Sequence, residues 1–328
     1  MTERRAGIIG MGHSFPEGVL TNADLEKIVE TSDEWITTRT GIKQRHKAAK
    51  DEYTSQFGTR AAQQALERSG LSAEEIDIIV CATTSPDQIL PSTGALIQAE
   101  LGATNAAGMD LFAACSGFIY GITMVESMIR TGQINYALVI GAEILTKYVD
   151  YTDRGTCVIF GDGAGAAVLG PVEGGKGILS TKIRSDGRYE EQLYARGGGT
   201  RLGTSHETID NREHFFRMKG NEVFKVAVRS MADISNEMLE KAGYTTADVD
   251  LVIPHQANQR ITEAVASRLD VPMDKVYSNI ADMGNTSSAS IPIAMDECIQ
   301  AGRIREGSLV LLTAFGGGIT WGASVIRF

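Results

Sequence analysis

Leu66-Glu67-Arg68-Ser69-Gly70, followed by Ile76-Asp77-Ile78-Ile79-Val80, reads as a helix end, a glycine stop and a β-branched strand. The same series returns as Leu239-Glu240-Lys241-Ala242-Gly243 and Val249-Asp250-Leu251-Val252-Ile253, an offset of 173 residues (239 less 66). A second pair keeps nearly that spacing. Ile129-Arg130-Thr131-Gly132-Gln133-Ile134 precedes a strand-like run at Ala137, and Ile299-Gln300-Ala301-Gly302-Arg303-Ile304 precedes one at Ser308, 170 residues on (299 less 129). One such match is the ordinary grammar of any α/β unit, but two in the same order imply a duplicated half built on a βαβ unit. Corresponding loops of the two halves then meet at a shared site. The expected boundaries are a first half over residues 1–170, a second over 215–328, and a Gly- and charge-rich connection over 171–214.

Outward from the repeat, the other segments fit the same class. Ile76 to Cys81, Tyr136 to Ile140 and Leu309 to Leu312 are short apolar runs suited to strands covered on both faces. Thr59 to Ser69, Gly117 to Arg130, Val223 to Lys241 and Ile291 to Ala301 carry apolar residues at three-to-four spacing and predict helices. The fold class is α/β. With 43% hydrophobic residues in 328, the chain can bury a large core, and its net charge of −10 argues against a main surface that binds nucleic acid. Ala6-Gly7-Ile8-Ile9-Gly10 is too short for a signal sequence and reads as an opening strand, and no apolar stretch approaches the ~18 residues that span a bilayer. Cys81, Cys115, Cys157 and Cys298 are widely spaced, without CxxC pairs, which predicts reduced thiols and no zinc site. A soluble cytoplasmic protein is expected.

Three segments carry candidate chemistry. Gly108 to Gly117 passes from a short strand through small residues into a helix, so Cys115 sits at a strand-to-helix turn, where free N–H groups and the helix dipole favour a thiolate. His255 follows Leu251-Val252-Ile253-Pro254 at the carboxyl end of a strand, the edge where open α/β sheets bind ligands. Asn285 lies in Gly284-Asn285-Thr286-Ser287-Ser288, and the 173 offset sets Ser288 opposite Cys115, bringing the two loops to one pocket. Gly316-Gly317-Gly318 follows a strand and allows backbone N–H groups close to a ligand, as an oxyanion hole requires. Each residue also has a structural reading: Cys115 as a small packing residue, His255 as a satisfied core histidine, Asn285 and the serines as helix-capping turn residues. The glycines of Phe160 to Ala166 lack the spacing of a nucleotide loop and precede a strand, so they read as structural.

Together, Ser32-Asp33-Glu34-Trp35-Ile36, Arg39-Thr40-Gly41-Ile42, Ala113-Ala114-Cys115-Ser116-Gly117-Phe118, Gly161 to Ala166, His255-Gln256-Ala257-Asn258, Gly284-Asn285-Thr286-Ser287 and Gly316-Gly317-Gly318 resemble the thiolase superfamily. Nearly end to end, the match is to the beta-ketoacyl-[acyl carrier protein] synthase III family. The resemblance implies a thiolase-like fold of two pseudo-duplicated βαβ halves in five layers (αβαβα), a homodimer and no cofactor. It implies a decarboxylative Claisen condensation, in which an acyl-CoA primer loads onto Cys115 and then meets malonyl-acyl carrier protein. On that resemblance His255 and Asn285 donate to the malonyl thioester carbonyl, while Cys115 and Gly317 supply oxyanion N–H groups. Trp35, Arg39 and Arg154 would hold CoA, and Leu90 and Met218 would line the primer pocket. Lys225, Gln256 and Arg260 would meet the carrier protein, with Arg229 one helical turn from Lys225.

Two other readings stand beside it. A cysteine hydrolase would use His255 as base with Asn285 behind the imidazole, and a catalytically dead scaffold of the same fold would need none of the three. The primer, acetyl or branched, is not readable from the pocket positions.

Overall fold

The computed structural model describes residues 4–328. In chain order the first half contains β1 (Arg5–Ser14), β2 (Val19–Thr21), α1 (Asn22–Leu25), α2 (Asp33–Thr40), β3 (Gln44–His46), α3 (Thr54–Ser69), β4 (Ile78–Ala82), α4 (Thr93–Leu101), β5 (Ala107–Leu111), α5 (Gly117–Arg130), β6 (Ala137–Ile144) and β7 (Asp162–Val172). The second contains β8 (Gly177–Ser185), β9 (Leu193–Tyr194), α6 (His206–Asp210), β10 (Arg217–Met218), α7 (Gly220–Ala242), β11 (Leu251–Pro254), α8 (Gln259–Arg268), α9 (Ile280–Met283), α10 (Ser290–Gln300), β12 (Leu309–Gly316) and β13 (Thr320–Arg327). The glycines of the repeat are the left-handed C-caps of α3 and α7, Gly70 at φ 74° and Gly243 at φ 80°, a conformation that favours glycine.

The duplication governs the sheets. The first is ordered β1-β7-β6-β4-β5 and the second β8-β13-β12-β11, with a bridge from Val252 to Val276 beginning the fifth position. In both, the helix–glycine–strand repeat supplies a strand (β4, β11) parallel to its inner neighbour (β6, β12), and β7 and β13 run antiparallel beyond it. Phe118, Ile122 and Val125 of α5 and Ile291 and Met295 of α10 form one core between the sheets, with Val80 and Val139 on one side and Ile253 and Leu312 on the other. Phe57, Ala61 and Ile97 of α3 and α4 pack on the outer face of the first sheet, and Met231, Met238 and Val265 of α7 and α8 on that of the second. These are the five expected αβαβα layers. Strands buried on both faces explain why β4, β6 and β12 read as unbroken apolar runs.

The 171–214 stretch departs from its expected role as a connection. Gly177–Ser185 pairs with β13 over its length and is the edge strand of the second sheet, corresponding to β1 in the first. Beyond Ser185 the chain runs on to β9 and β10, which pair at Leu193 and Met218.

Candidate active site

Cys115 sits in a single 3-10 turn, Ala114–Ser116, between β5 and α5. Ala114 opens that turn in the left-handed region, φ 46°. One repeat later Ser287, φ 50°, opens the turn Ser287–Ala289 that leads into α10. Two non-glycine residues held left-handed at equivalent places mark the two elbows of the duplication. The Cys115 elbow is pinned by β13: Ser116 Oγ donates to the Thr320 carbonyl (3.1 Å), and Thr320 Oγ1 to that of Ala113 (2.8 Å). Gly316 permits this approach, since a methyl there would lie 2.7 Å from the Cys115 nitrogen.

His255 leaves the end of β11, its N–H donating to the Thr313 carbonyl at 2.8 Å. Its Nδ1 lies 2.7 Å from Ser290 Oγ. That oxygen also accepts the Gln256 N–H (3.3 Å), and with the Ser290 hydroxyl donating to Nδ1 the imidazole proton is assigned to Nε2. Asn285 is laid against residues 159–161, its N–H donating to the Ile159 carbonyl and its carbonyl accepting from Gly161, both 3.0 Å. Asn285 Oδ1 accepts the Ser287 N–H at 2.8 Å, so the Nδ2 end is the one left for a ligand.

Cys115, His255 and Asn285 line one narrow cavity of about 120 Å³, with Gly316 and Gly317 beside them and Ile159, Leu193, Met218 and Phe224 among its apolar walls. Burial pushes the Cys115 thiol up to about 12, although the Ser287 hydroxyl pulls the other way. Loss of solvation therefore works against the thiolate expected from the helix start. Burial likewise takes His255 down to about 3, leaving it a neutral imidazole. Asn285 does not orient the ring through its oxygen as a Cys-His-Asn hydrolase requires: Oδ1 is taken by the Ser287 N–H, and the side-chain partner of the imidazole is Ser290.

The other expected residues divide. Met218 and Gly317 line the cavity. An adjoining groove shares Ile159, Met218, Gly220, Phe224 and Asn258 with it and adds Arg39, Lys225 and Arg260 at the rim. The indole of Trp35 lies 4.9 Å from the Arg39 guanidinium and 5.0 Å from that of Arg154. Arg229 is exposed on α7. Two of the expected residues lie apart from the cavity wall. Gln256 is fully buried, donating to the Pro254 carbonyl (2.7 Å) and accepting the Asn279 N–H (3.2 Å), so it shapes the loop and does not meet a carrier protein directly. Leu90, 84% exposed, stands outside the cavity of its own chain.

Glu143 was missed. It is buried on β6 beneath the elbows, where it accepts from Ser85 Oγ (2.7 Å), the Thr84 N–H (3.0 Å) and Ser288 Oγ (3.2 Å), and burial pushes its carboxyl up. A carboxylate inside the apolar run Ala137–Ile144 is the signal that could have found it.

The description 3-Oxoacyl-[acyl-carrier-protein (ACP)] synthase III matches residues 109–187, and that of its C-terminal part matches residues 239–328. A beta-ketoacyl-[acyl-carrier-protein] synthase III of Caldanaerobacter subterraneus subsp. tengcongensis is 50% identical over 323 residues, 98% of each chain. That of Symbiobacterium thermophilum is 50% identical over 328 residues, 100% of this chain and 99% of the other. The crystal structure of the 3-oxoacyl-[acyl-carrier-protein] synthase III from Aquifex aeolicus superposes at a TM-score of 0.92 with 50% identity, covering 98% of this chain and 100% of that one. Elbows, donors and cavity thus sit in a chain that, over its full length, belongs to the beta-ketoacyl-[acyl-carrier-protein] synthase III family of condensing enzymes.

Proposed function

We propose that the chain carries out the initiating condensation of fatty acid synthesis, joining an acyl-CoA primer to malonyl-acyl carrier protein through an acyl-Cys115 intermediate. The sulfur attacks the primer thioester, its proton leaves with CoA as the free thiol, and the N–H groups of Cys115 and Gly317 hold the oxyanion. Malonyl-acyl carrier protein then enters. His255 Nε2 and Asn285 Nδ2 donate to its thioester carbonyl, so that loss of carbon dioxide leaves a stabilised enolate whose carbon attacks the acyl-cysteine. The products are carbon dioxide, 3-oxoacyl-acyl carrier protein and the Cys115 thiolate, which takes a proton from solvent to return to the thiol. One observation carries this reading: Ser290 takes Nδ1 of His255 and Ser287 takes Oδ1 of Asn285, which leaves two neutral N–H donors for one cavity.

The groove with Arg39, Lys225 and Arg260 at its rim supports entry of phosphate-bearing and acidic carriers from that side, and the Trp35–Arg154 pair suits a stacked adenine. The chemistry needs no cofactor beyond the two thioesters. Four buried free cysteines support a reducing, cytoplasmic setting, and no described helix is long and apolar enough to cross a membrane. Leu90 serves a primer pocket only by reaching across to a second protomer, which ties the proposed homodimer to substrate choice. The test is condensation itself. Purified protein is mixed with malonyl-acyl carrier protein and a panel of acyl-CoAs, and the products are identified by mass spectrometry. A 3-oxoacyl-acyl carrier protein is expected, and its absence with every primer would sink the proposal.

A further inference from the structure

Arg45, on β3, is a fully buried arginine. Its acceptors are all neutral: Nη1 donates to the Leu20 carbonyl (3.1 Å) and Asn22 Oδ1 (2.9 Å), and Nη2 to the Val158 carbonyl (2.6 Å). Burial draws the guanidinium down to about 10, so it stays charged at neutral pH. Enclosing a cation among neutral oxygens costs stability that an apolar side chain of similar size avoids. What the side chain holds therefore matters more than the energy of holding it.

It holds the support of Asn285. The Val158 carbonyl begins the segment 158–161, and that segment brackets Asn285 through the Ile159 carbonyl and the Gly161 N–H, with Phe160 bridged to Asn285. The arginine's own Cβ fills the space over two glycines of this junction: a methyl at Gly161 would lie 3.0 Å from it, and one at Gly284, φ 66°, 2.9 Å. Two residues before the arginine, the Lys43 N–H donates to the Ala281 carbonyl (2.8 Å), tying the start of β3 to α9, the helix that delivers Gly284 and Asn285. The Cys115 elbow, by contrast, is pinned by Thr320 of β13.

We infer that Arg45 is a positioning residue for Asn285, locking segment 158–161 and the end of α9 so that the amide is held for decarboxylation and condensation, while acylation of Cys115 proceeds without it. This rests on the condensing reading above. Arg45→Met and Arg45→Lys would be assayed for acyl-enzyme formation from acetyl-CoA by intact-protein mass spectrometry, and separately for carbon dioxide release from malonyl-acyl carrier protein. Misplacing a donor by about 1 Å slows a step on the order of 10²-fold. Arg45→Met is expected to slow decarboxylation about 10- to 100-fold with acylation within about twofold, and Arg45→Lys to recover part of the loss. In an Asn285→Ala background, Arg45→Met should add nothing, because coupled residues are non-additive. Equal losses in both half-reactions, full additivity with Asn285→Ala, or failure of both variants to fold would each overturn the assignment. Wild-type protein that does not condense at all would instead remove the reading on which it rests.

Discussion

Cys115 and His255 are both held uncharged by burial, the thiol pushed up to about 12 and the imidazole down to about 3. For the thiol this means that reactivity waits on substrate. In free enzyme, alkylation of Cys115 by iodoacetamide should keep rising with pH up to about 9, whereas a plateau near neutrality would reveal a standing thiolate and refute the neutral-thiol picture. Cys115→Ser should lose the acyl-enzyme altogether. Retained acyl transfer from CoA in that variant would move the nucleophile elsewhere. For the imidazole the consequence is in stability. An unfolded histidine takes its proton near 6.5 and the folded one not until about 3, so the unfolded state binds more protons across that window. Stability is full above 6.5 and declines as pH falls toward 3. Comparing wild type with His255→Gln by denaturant unfolding at about pH 7 and about pH 5 should show the wild type losing about 2 kcal/mol more than the variant. Parallel curves would mean that His255 titrates normally.

At the scale of elements, what was legible in the sequence followed from local rules repeated twice. The 173 offset announced both elbows, and the glycine after each repeat helix announced its cap. Apolar runs announced the buried strands. Unread were features that depend on what lies across space. The resting protonation of Cys115 is decided by the walls of its cavity, the internal bonding of Gln256 by Pro254 and Asn279, and the burial of Glu143 by two loops that arrive from elsewhere. Gly177–Ser185 looked like a connection because its partner, β13, lies more than a hundred residues on. The approach of β12 to the nucleophile elbow gives this scale its prediction. At Gly316 a methyl would lie 2.7 Å from the backbone nitrogen of Cys115, which cannot yield as a flexible side chain would. Gly316→Ala should therefore displace the elbow and slow acylation on the order of 10²-fold while leaving the circular dichroism spectrum unchanged. Wild-type acylation in this variant would show the contact to be slack.

Across the whole molecule, the first sheet ends at β5, which pairs with β4 on one side, and its other edge is open within the chain. Apolar side chains gather there: Met109 on the strand, Phe112 just beyond it at 78% exposure, and, on the neighbouring loop, Ile89 at 93% and Leu90 at 84%. An open edge strand beside exposed large hydrophobes is a surface that water disfavours and that a second copy satisfies by pairing edge to edge. Under the proposed homodimer such pairing would sit close to Cys115, since Phe112 is three residues before it, and association and catalysis would share a segment. Phe112→Asp places a charge in that seam without touching the cavity walls of its own chain. On the proposed homodimer it should yield a monomer by sedimentation velocity while wild type sediments as a dimer, and condensation should fall as the Cys115 loop loses its support. Leu90→Ala separates the two effects. If Leu90 closes the partner's primer pocket, this variant stays dimeric but shifts its preference among acyl-CoAs of different length. An unchanged primer profile in a dimeric Leu90→Ala would return Leu90 to a packing role at the interface, and a Phe112→Asp protein that remains dimeric would place the interface on another face.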